Sequence, residues 1–324
     1  MAQADLLVNL VKNASNGDQL GVHKITQNLI QEEKNKGHRI LADRLIQALK
    51  PTVKKSINKI TDNNSNADLY FETTPERGLN SLVLPNEIRT QIQELVQEQH
   101  RSELLHSYNL KARNTLLLAG PPGNGKTTLA EALAHELMYP LLVVRYENLV
   151  GSYLGETSGR LKSVLDYAKT MRCVLFFDEF ETLAKERGDT HETGEIKRVV
   201  SSLLLQLDSL PDYVVVVTAS NHPELLDKAV WRRFQIRIEL PLPTKIQLTD
   251  FITQISKRCK VEFGLTAEII AKHLNGLNFA EAEEFCLGIV RKAILDKKQN
   301  NAQTITNLKL TQYKNSLKPV NSKD

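Results

Sequence analysis

Residues 115–137 read TLLLAGPPGNGKTTLAEALAHEL. Leu116, Leu117 and Leu118 form a short, continuously apolar run, the mark of a strand buried on both faces. Gly120 to Thr127, GPPGNGKT, fits the spacing G-x-x-x-x-G-K-[ST]. Leu129, Ala130, Leu133 and Leu137 then recur at helical spacing. A glycine-rich turn between strand and helix lets backbone N–H groups wrap an anion, and the helix N-terminus adds positive potential. The expected phosphate-binding residues are therefore Pro122, Gly123, Asn124, Gly125, Lys126, Thr127 and Thr128. Lys126 is expected to reach the β- and γ-phosphates of a nucleoside triphosphate, and Thr127 to hold Mg²⁺. A chance glycine turn would lack the strand before it and the helix after it.

Further strands are expected at Leu141–Tyr146, Val174–Phe177, Val214–Ala219 and Ile236–Leu240, with helical stretches between most of them. Repeated βα units of this kind predict an α/β fold, a doubly wound parallel sheet. Cys173 to Glu179 reads CVLFFDE, an apolar strand ending in two carboxylates. Such sheets bind ligands at the carboxyl ends of their strands. Asp178 is expected to coordinate Mg²⁺, largely through water, and Glu179 to orient and polarise an attacking water. ATP with Mg²⁺ is the implied ligand pair.

Outward from this centre, four regions are expected. Residues 1–60 carry three short helical patterns, around Leu6 to Val11, Val22 to Ile30 and Ile40 to Leu49, and are expected to form a small three-helix domain. Residues 61–81 are polar and irregular and read as a linker. Residues 82–242 hold a long amphipathic helix from Asn86 to Tyr108 and then the sheet. After Pro241 and Pro243 the strands stop, so residues 243–324 read as a small helical domain and a tail.

The net charge is +4 and charged residues make up 25% of the chain, which demands no polyanionic partner. Lys50, Lys54, Lys55 and Lys59 read as a solvated helix face rather than a nucleic-acid surface. Cys173, Cys259 and Cys286 lie far apart without CxxC spacing, so reduced thiols are expected. Neither a signal peptide nor an apolar run long enough to span a bilayer is visible, and a cytoplasmic chain is expected. His135-Glu136 and His191-Glu192 lack the second His of H-E-x-x-H, because Tyr139 and Glu195 stand there. No protease centre is visible. A dinucleotide fingerprint also fails, since Thr128 stands where its last Gly belongs.

From about Leu82 to Leu317 the chain resembles the AAA module, an α/β wedge followed by a helical lid. Val214 to Asn221, VVVVTASN, resembles the family's sensor strand, which implies that Asn221 contacts the γ-phosphate or the catalytic water. Arg232 and Arg233 stand in a segment resembling the one that holds the family's arginine fingers. A finger neutralises charge in the transition state of the neighbouring subunit's site, and a guanidinium with its fixed fork of donors suits the task. That resemblance implies a homo-oligomer, usually a hexamer. Leu149 to Glu156 resembles the first pore loop, implying that Tyr153 and Leu154 grip a polypeptide in a central channel. Arg187 to Arg198 lies where a second pore loop would be.

The adjacent arginines are closer to the family's meiotic clade. Asn278-Phe-Ala280-Glu281-Ala282 stands where the family often has Ser-Gly-Ala-Asp, and no lid arginine can be assigned to the nucleotide. The N-terminal pattern is also similar to small bacterial AAA ATPases paired with a subtilisin-like protease, some of them proposed to act against phage. The resemblance implies an ATP-hydrolysing ring that remodels or threads protein substrates, with a protein partner. The alternative is a nucleic-acid-handling, loader-type ATPase.

Overall fold

Strand β2 (Thr115–Ala119) is buried at every position and stands inside a six-stranded sheet. The other strands are β1 (Tyr70–Thr73), β3 (Leu141–Val144), β4 (Cys173–Phe177), β5 (Val214–Ser220) and β6 (Ile236–Glu239). Their order is β1-β3-β4-β5-β2-β6. The five strands from β2 to β6 pair in parallel, and β1 lies antiparallel on β3 at the edge. The helices are α1 (Asn86–His100), α2 (Ser102–Ser107), α3 (Lys126–Leu137), α4 (Leu154–Ala168), α5 (Lys245–Cys259), α6 (Ala267–His273), α7 (Phe279–Leu295) and α8 (Gln303–Ser316), with single turns at Tyr146–Leu149 and Lys228–Trp231. The computed structural model describes residues 25–26, 69–149, 154–181, 203–226 and 228–316.

Side chains on a strand alternate between faces, so a strand buried on both feeds two cores. Leu116, Leu118, Val174, Phe176, Val215 and Val217 pack with Ile92 and Leu95 of α1 and Leu129 and Leu133 of α3. Leu117, Leu175, Phe177, Val214 and Val216 pack on the other face with Leu161, Val164 and Leu165 of α4. This is the expected α/β layering, helices on both sides of a mostly parallel sheet. A third core, with Leu248, Ile252, Ile270, Cys286 and Ile289, belongs to helices α5 to α8. Thr244 caps α5 and Asn278 caps α7, each in a capping box closed by the residue three on, Gln247 and Glu281. The chain divides into two compact units, residues 1–64 and 65–324. The three expected N-terminal helices lie outside the described residues, apart from Ile25 and Thr26. Among the described residues, no helix is long and apolar enough to cross a membrane.

Three expectations differ from the structure. The stretch read as linker contains strand β1, whose Tyr70 pairs with Val144 and stacks on Tyr167 at 4.9 Å between ring centroids. Four residues among polar neighbours carry too little periodicity to announce a strand; β3 supplies the template. The helix expected from Asn86 to Tyr108 breaks at Arg101, where ψ is 27°. The buried stripe Ile88, Ile92, Leu95 and Gln99 ends there and α2 buries nothing, so no packing holds the two pieces collinear. The strand expected to reach Tyr146 stops at Val144, and residues Tyr146–Leu149 form a helical turn.

Burial also settles the state of two thiols. Cys173 in β4 and Cys286 in α7 are buried free cysteines, and desolvation pushes each thiol up to about 12.

Candidate functional site

Strand order brings the functional segments together. β5 lies between β4 and β2, so Asp178 and Glu179 after β4, Asn221 after β5 and the glycine turn after β2 share one sheet edge. Backbone bonds fix their levels. Gly120 N–H donates to Ser220 O at 3.2 Å, and Phe180 N–H donates to Ala219 O at 2.9 Å.

The turn is shaped by close approaches. Gly120 has φ 137°, and a Cβ there would lie 2.3 Å from Leu240 O. Gly123 has φ 75°, and a Cβ would lie 2.7 Å from the Asn278 side chain. Ala280 N–H also donates to Gly123 O at 3.0 Å, so the first turn of α7 packs directly on the phosphate turn. Gly123→Ala should therefore destabilise the protein by about 1–3 kcal/mol, from left-handed strain plus the clash. Thermal unfolding would read it as a Tm lower by several degrees; an unchanged Tm would mean that the close packing against α7 does not form.

Lys126 is buried, and its Nζ donates to Gly120 O at 2.6 Å and Pro121 O at 2.9 Å. Burial pulls this ammonium below the usual lysine range, while the carboxylates of Asp178 and Glu181 push the other way. The Thr127 hydroxyl donates to Asp178 Oδ2 at 3.1 Å. A hydroxyl and a carboxylate oxygen at that spacing form a hard-oxygen donor set that fits Mg²⁺. Asn124 is 4% exposed, and both polar atoms of its amide are without a hydrogen-bond partner among the described residues. Buried amide groups with open valences suit a polar ligand entering the turn. Pro122 and Thr128 flank these groups in the same turn and helix start.

Glu179 is exposed, with φ 47°, and its N–H donates to Asp178 Oδ1 at 2.9 Å. A left-handed residue at a strand end marks local strain of the kind held at functional sites. Asn221 is half-buried, and its N–H donates to Glu181 Oε1 at 3.1 Å. Glu181 was not foreseen. It is 4% exposed, and its Oε2 has no partner among the described residues. The one sequence cue was a third acid, two residues past Glu179 in DEFE.

The arginines stand elsewhere. The Thr115 hydroxyl donates to Arg233 O at 3.3 Å, and the Gln235 side chain accepts the Asn114 and Thr115 N–H groups at 2.8 and 3.2 Å. Arg233 is thus tied to the start of β2, whereas the phosphate turn begins beyond its end. From Thr115 to Gly120 the strand rises roughly 16 Å. Both arginines are exposed, and Arg233 forms an ion pair with Asp208. The structure unites Lys126, Thr127, Asp178, Glu179 and Asn221, and sets Arg232 and Arg233 apart. Leu154 opens α4; Tyr153 and the segment from Arg187 to Arg198 lie outside the described residues.

The chain is similar in sequence to known proteins. Residues 116–242 match the family described as ATPase family associated with various cellular activities (AAA). An uncharacterized AAA family ATPase of Sinorhizobium fredii is 34% identical over 306 residues, covering 92% of each chain. A peroxisomal ATPase of Schizosaccharomyces pombe is 32% identical over 72% of this chain and 25% of its own length. A cell division cycle protein 48 homolog of Archaeoglobus fulgidus is 34% identical over 57% of this chain and 26% of its own. The chain therefore spans nearly the whole of the first relative and about a quarter of the other two. With a nucleotide-phosphate turn, an acidic strand end and a relative matched along almost its full length, this chain belongs to the AAA family and is an ATP hydrolase.

Proposed function

We propose that the chain assembles into a hexameric ring and uses ATP hydrolysis to remodel or thread polypeptide. The observation that carries this reading is the separation of Arg232 and Arg233 from their own phosphate turn by the length of β2. Side chains so placed serve a neighbour's nucleotide rather than their own. A head-to-tail contact of this kind, repeated, closes a ring. The relative named a peroxisomal ATPase supports the ATP-hydrolysing part of this reading.

In this reading the backbone of Pro122 to Gly125 cradles the phosphates and Lys126 neutralises them. Thr127 and Asp178 hold Mg²⁺, which when bound spreads the charge on the phosphate oxygens. Glu179 takes the proton of the attacking water, Asn221 orients that water or the γ-phosphate, and the neighbour's Arg232 and Arg233 offset the charge that develops. Tyr153 and Leu154 grip the polypeptide, and residues 1–60 select the partner. We extend the reading to a subtilisin-like protease as that partner, in a bacterial defence setting, on the strength of the N-terminal pattern.

An unstructured casein tests the threading step. It should stimulate wild-type ATP turnover. Tyr153→Ala should keep the basal rate and need roughly thirtyfold more casein, the loss expected for a central aromatic contact of about 2 kcal/mol. Equal stimulation of both proteins would end the threading reading and leave the ATPase assignment intact.

A further inference from the structure

We infer that Glu181 is a positioning residue for ATP hydrolysis, holding Asn221 through its backbone. The inference rests on the sensor role proposed for Asn221 and extends it to a buried acid that no part of that reading uses.

The geometry is specific. Phe180 N–H donates to Ala219 O, so the chain leaving β4 is still bonded to β5 three residues beyond Phe177. Glu181 follows, 4% exposed, and its Oε1 accepts the Asn221 N–H at 3.1 Å. Asn221 is the first residue past β5, where ladder pairing has ended. Its backbone would otherwise be free to rotate, and with it the direction of its side chain. A charged acceptor makes a stronger bond than a neutral one, and a buried N–H deprived of its acceptor is destabilised. Ser220 adds a second restraint, because its hydroxyl accepts the His222 N–H at 3.2 Å. The two acceptors bracket Asn221.

A buried carboxylate is costly in apolar surroundings unless it is paired and bonded. Phe180, the residue before Glu181, packs edge to face on Phe177 and Phe234, 6.4 and 6.1 Å between centroids. Glu181 also lies close enough to Lys126 to favour its cation. One side chain therefore accepts a hydrogen bond just past the end of β5 and adds negative charge that favours the ammonium of the phosphate turn.

Steady-state kinetics with a fluorescent ATP analogue as binding probe tests the inference. Glu181→Ala should lower kcat by up to roughly 100-fold, the effect of misplacing a catalytic group by about 1 Å, with ATP-analogue affinity changed by less than about threefold. Glu181→Gln keeps an acceptor oxygen at Oε1 and should hold kcat within about threefold of wild type. Asn221→Ala should itself lower kcat, and Glu181→Ala added to it should lower kcat no further. Should Glu181→Ala fail to bind the analogue, Glu181→Met, of similar volume and without an acceptor, takes its place in the same cycle. Multiplying losses in the double variant, or an equal loss in Glu181→Gln, would overturn the inference, since a simple loss of folded protein behaves in that way. An Asn221→Ala variant with wild-type kcat would instead remove the sensor role itself, a distinct failure.

Discussion

Glu179→Gln should abolish ATP turnover while leaving ATP binding close to wild type. Glutamine matches glutamate in size, so the left-handed backbone at this position and the N–H bond to Asp178 Oδ1 at 2.9 Å persist. The loss is that of a base able to take a proton from water. General-base removal lowers rates by about 10²–10⁴-fold, or about 3–5 kcal/mol in the barrier. Lys126, Thr127 and Asp178, which contact phosphate and Mg²⁺ in the proposed mechanism, are untouched, so affinity should change little. Single-turnover hydrolysis with saturating enzyme separates the two quantities. Turnover above a tenth of the wild-type rate would exclude Glu179 as the base, and a matching loss of affinity would make it a binding residue instead. The contrast with Lys126→Ala, which should fail at binding, gives the experiment its internal control.

The second large effect concerns the arginines. Arg232→Ala/Arg233→Ala should lose about 10³-fold or more in kcat, as fingers in related phosphoryl transfer do. Lys126→Ala should be equally inactive. Mixed in equal amounts, the two inactive proteins should recover activity. In a head-to-tail ring, about a quarter of interfaces then pair an intact phosphate turn with an intact finger from the neighbour. The expectation follows from the tie between Arg233 O and the Thr115 hydroxyl, at the far end of β2 from the nucleotide turn. Specific activity should also rise with protein concentration. No recovery in the mixture, with turnover independent of concentration, would mean a self-contained site and would remove the ring together with the finger assignment.

How much was legible in the sequence depends on how far apart the interacting residues lie. The phosphate turn is local: a strand, a glycine turn and a helix within residues 115–137, where spacing alone carries the physics. The acidic strand end at Asp178 and Glu179 is local too. Asn221 was placed beside them by resemblance, and the strand order β4-β5-β2 gives the structural reason. Glu181 escaped because its partner is the backbone of a residue 40 positions away, and a backbone N–H leaves no trace in sequence. The contact of Asn278 with Gly123 escaped likewise: the capping pattern at Asn278 and Glu281 was readable, while its seat on the phosphate turn was not.

Short stretches of sequence carry the kind of chemistry: a βα sheet, a nucleotide-phosphate turn, two carboxylates ready for Mg²⁺ and water, and a helical region after the last strand. These follow from short-range rules, namely side-chain period, backbone freedom at glycine and charge at a strand end. Which groups lie together is set by long-range packing. It added β1 to the sheet edge, seated α7 on Gly123, set Glu181 beneath Asn221 and put the arginines at the opposite end of β2. Each of these is a pairing between segments far apart in the chain, and such pairings are selected by the joint packing of the two cores rather than by any stretch of residues alone.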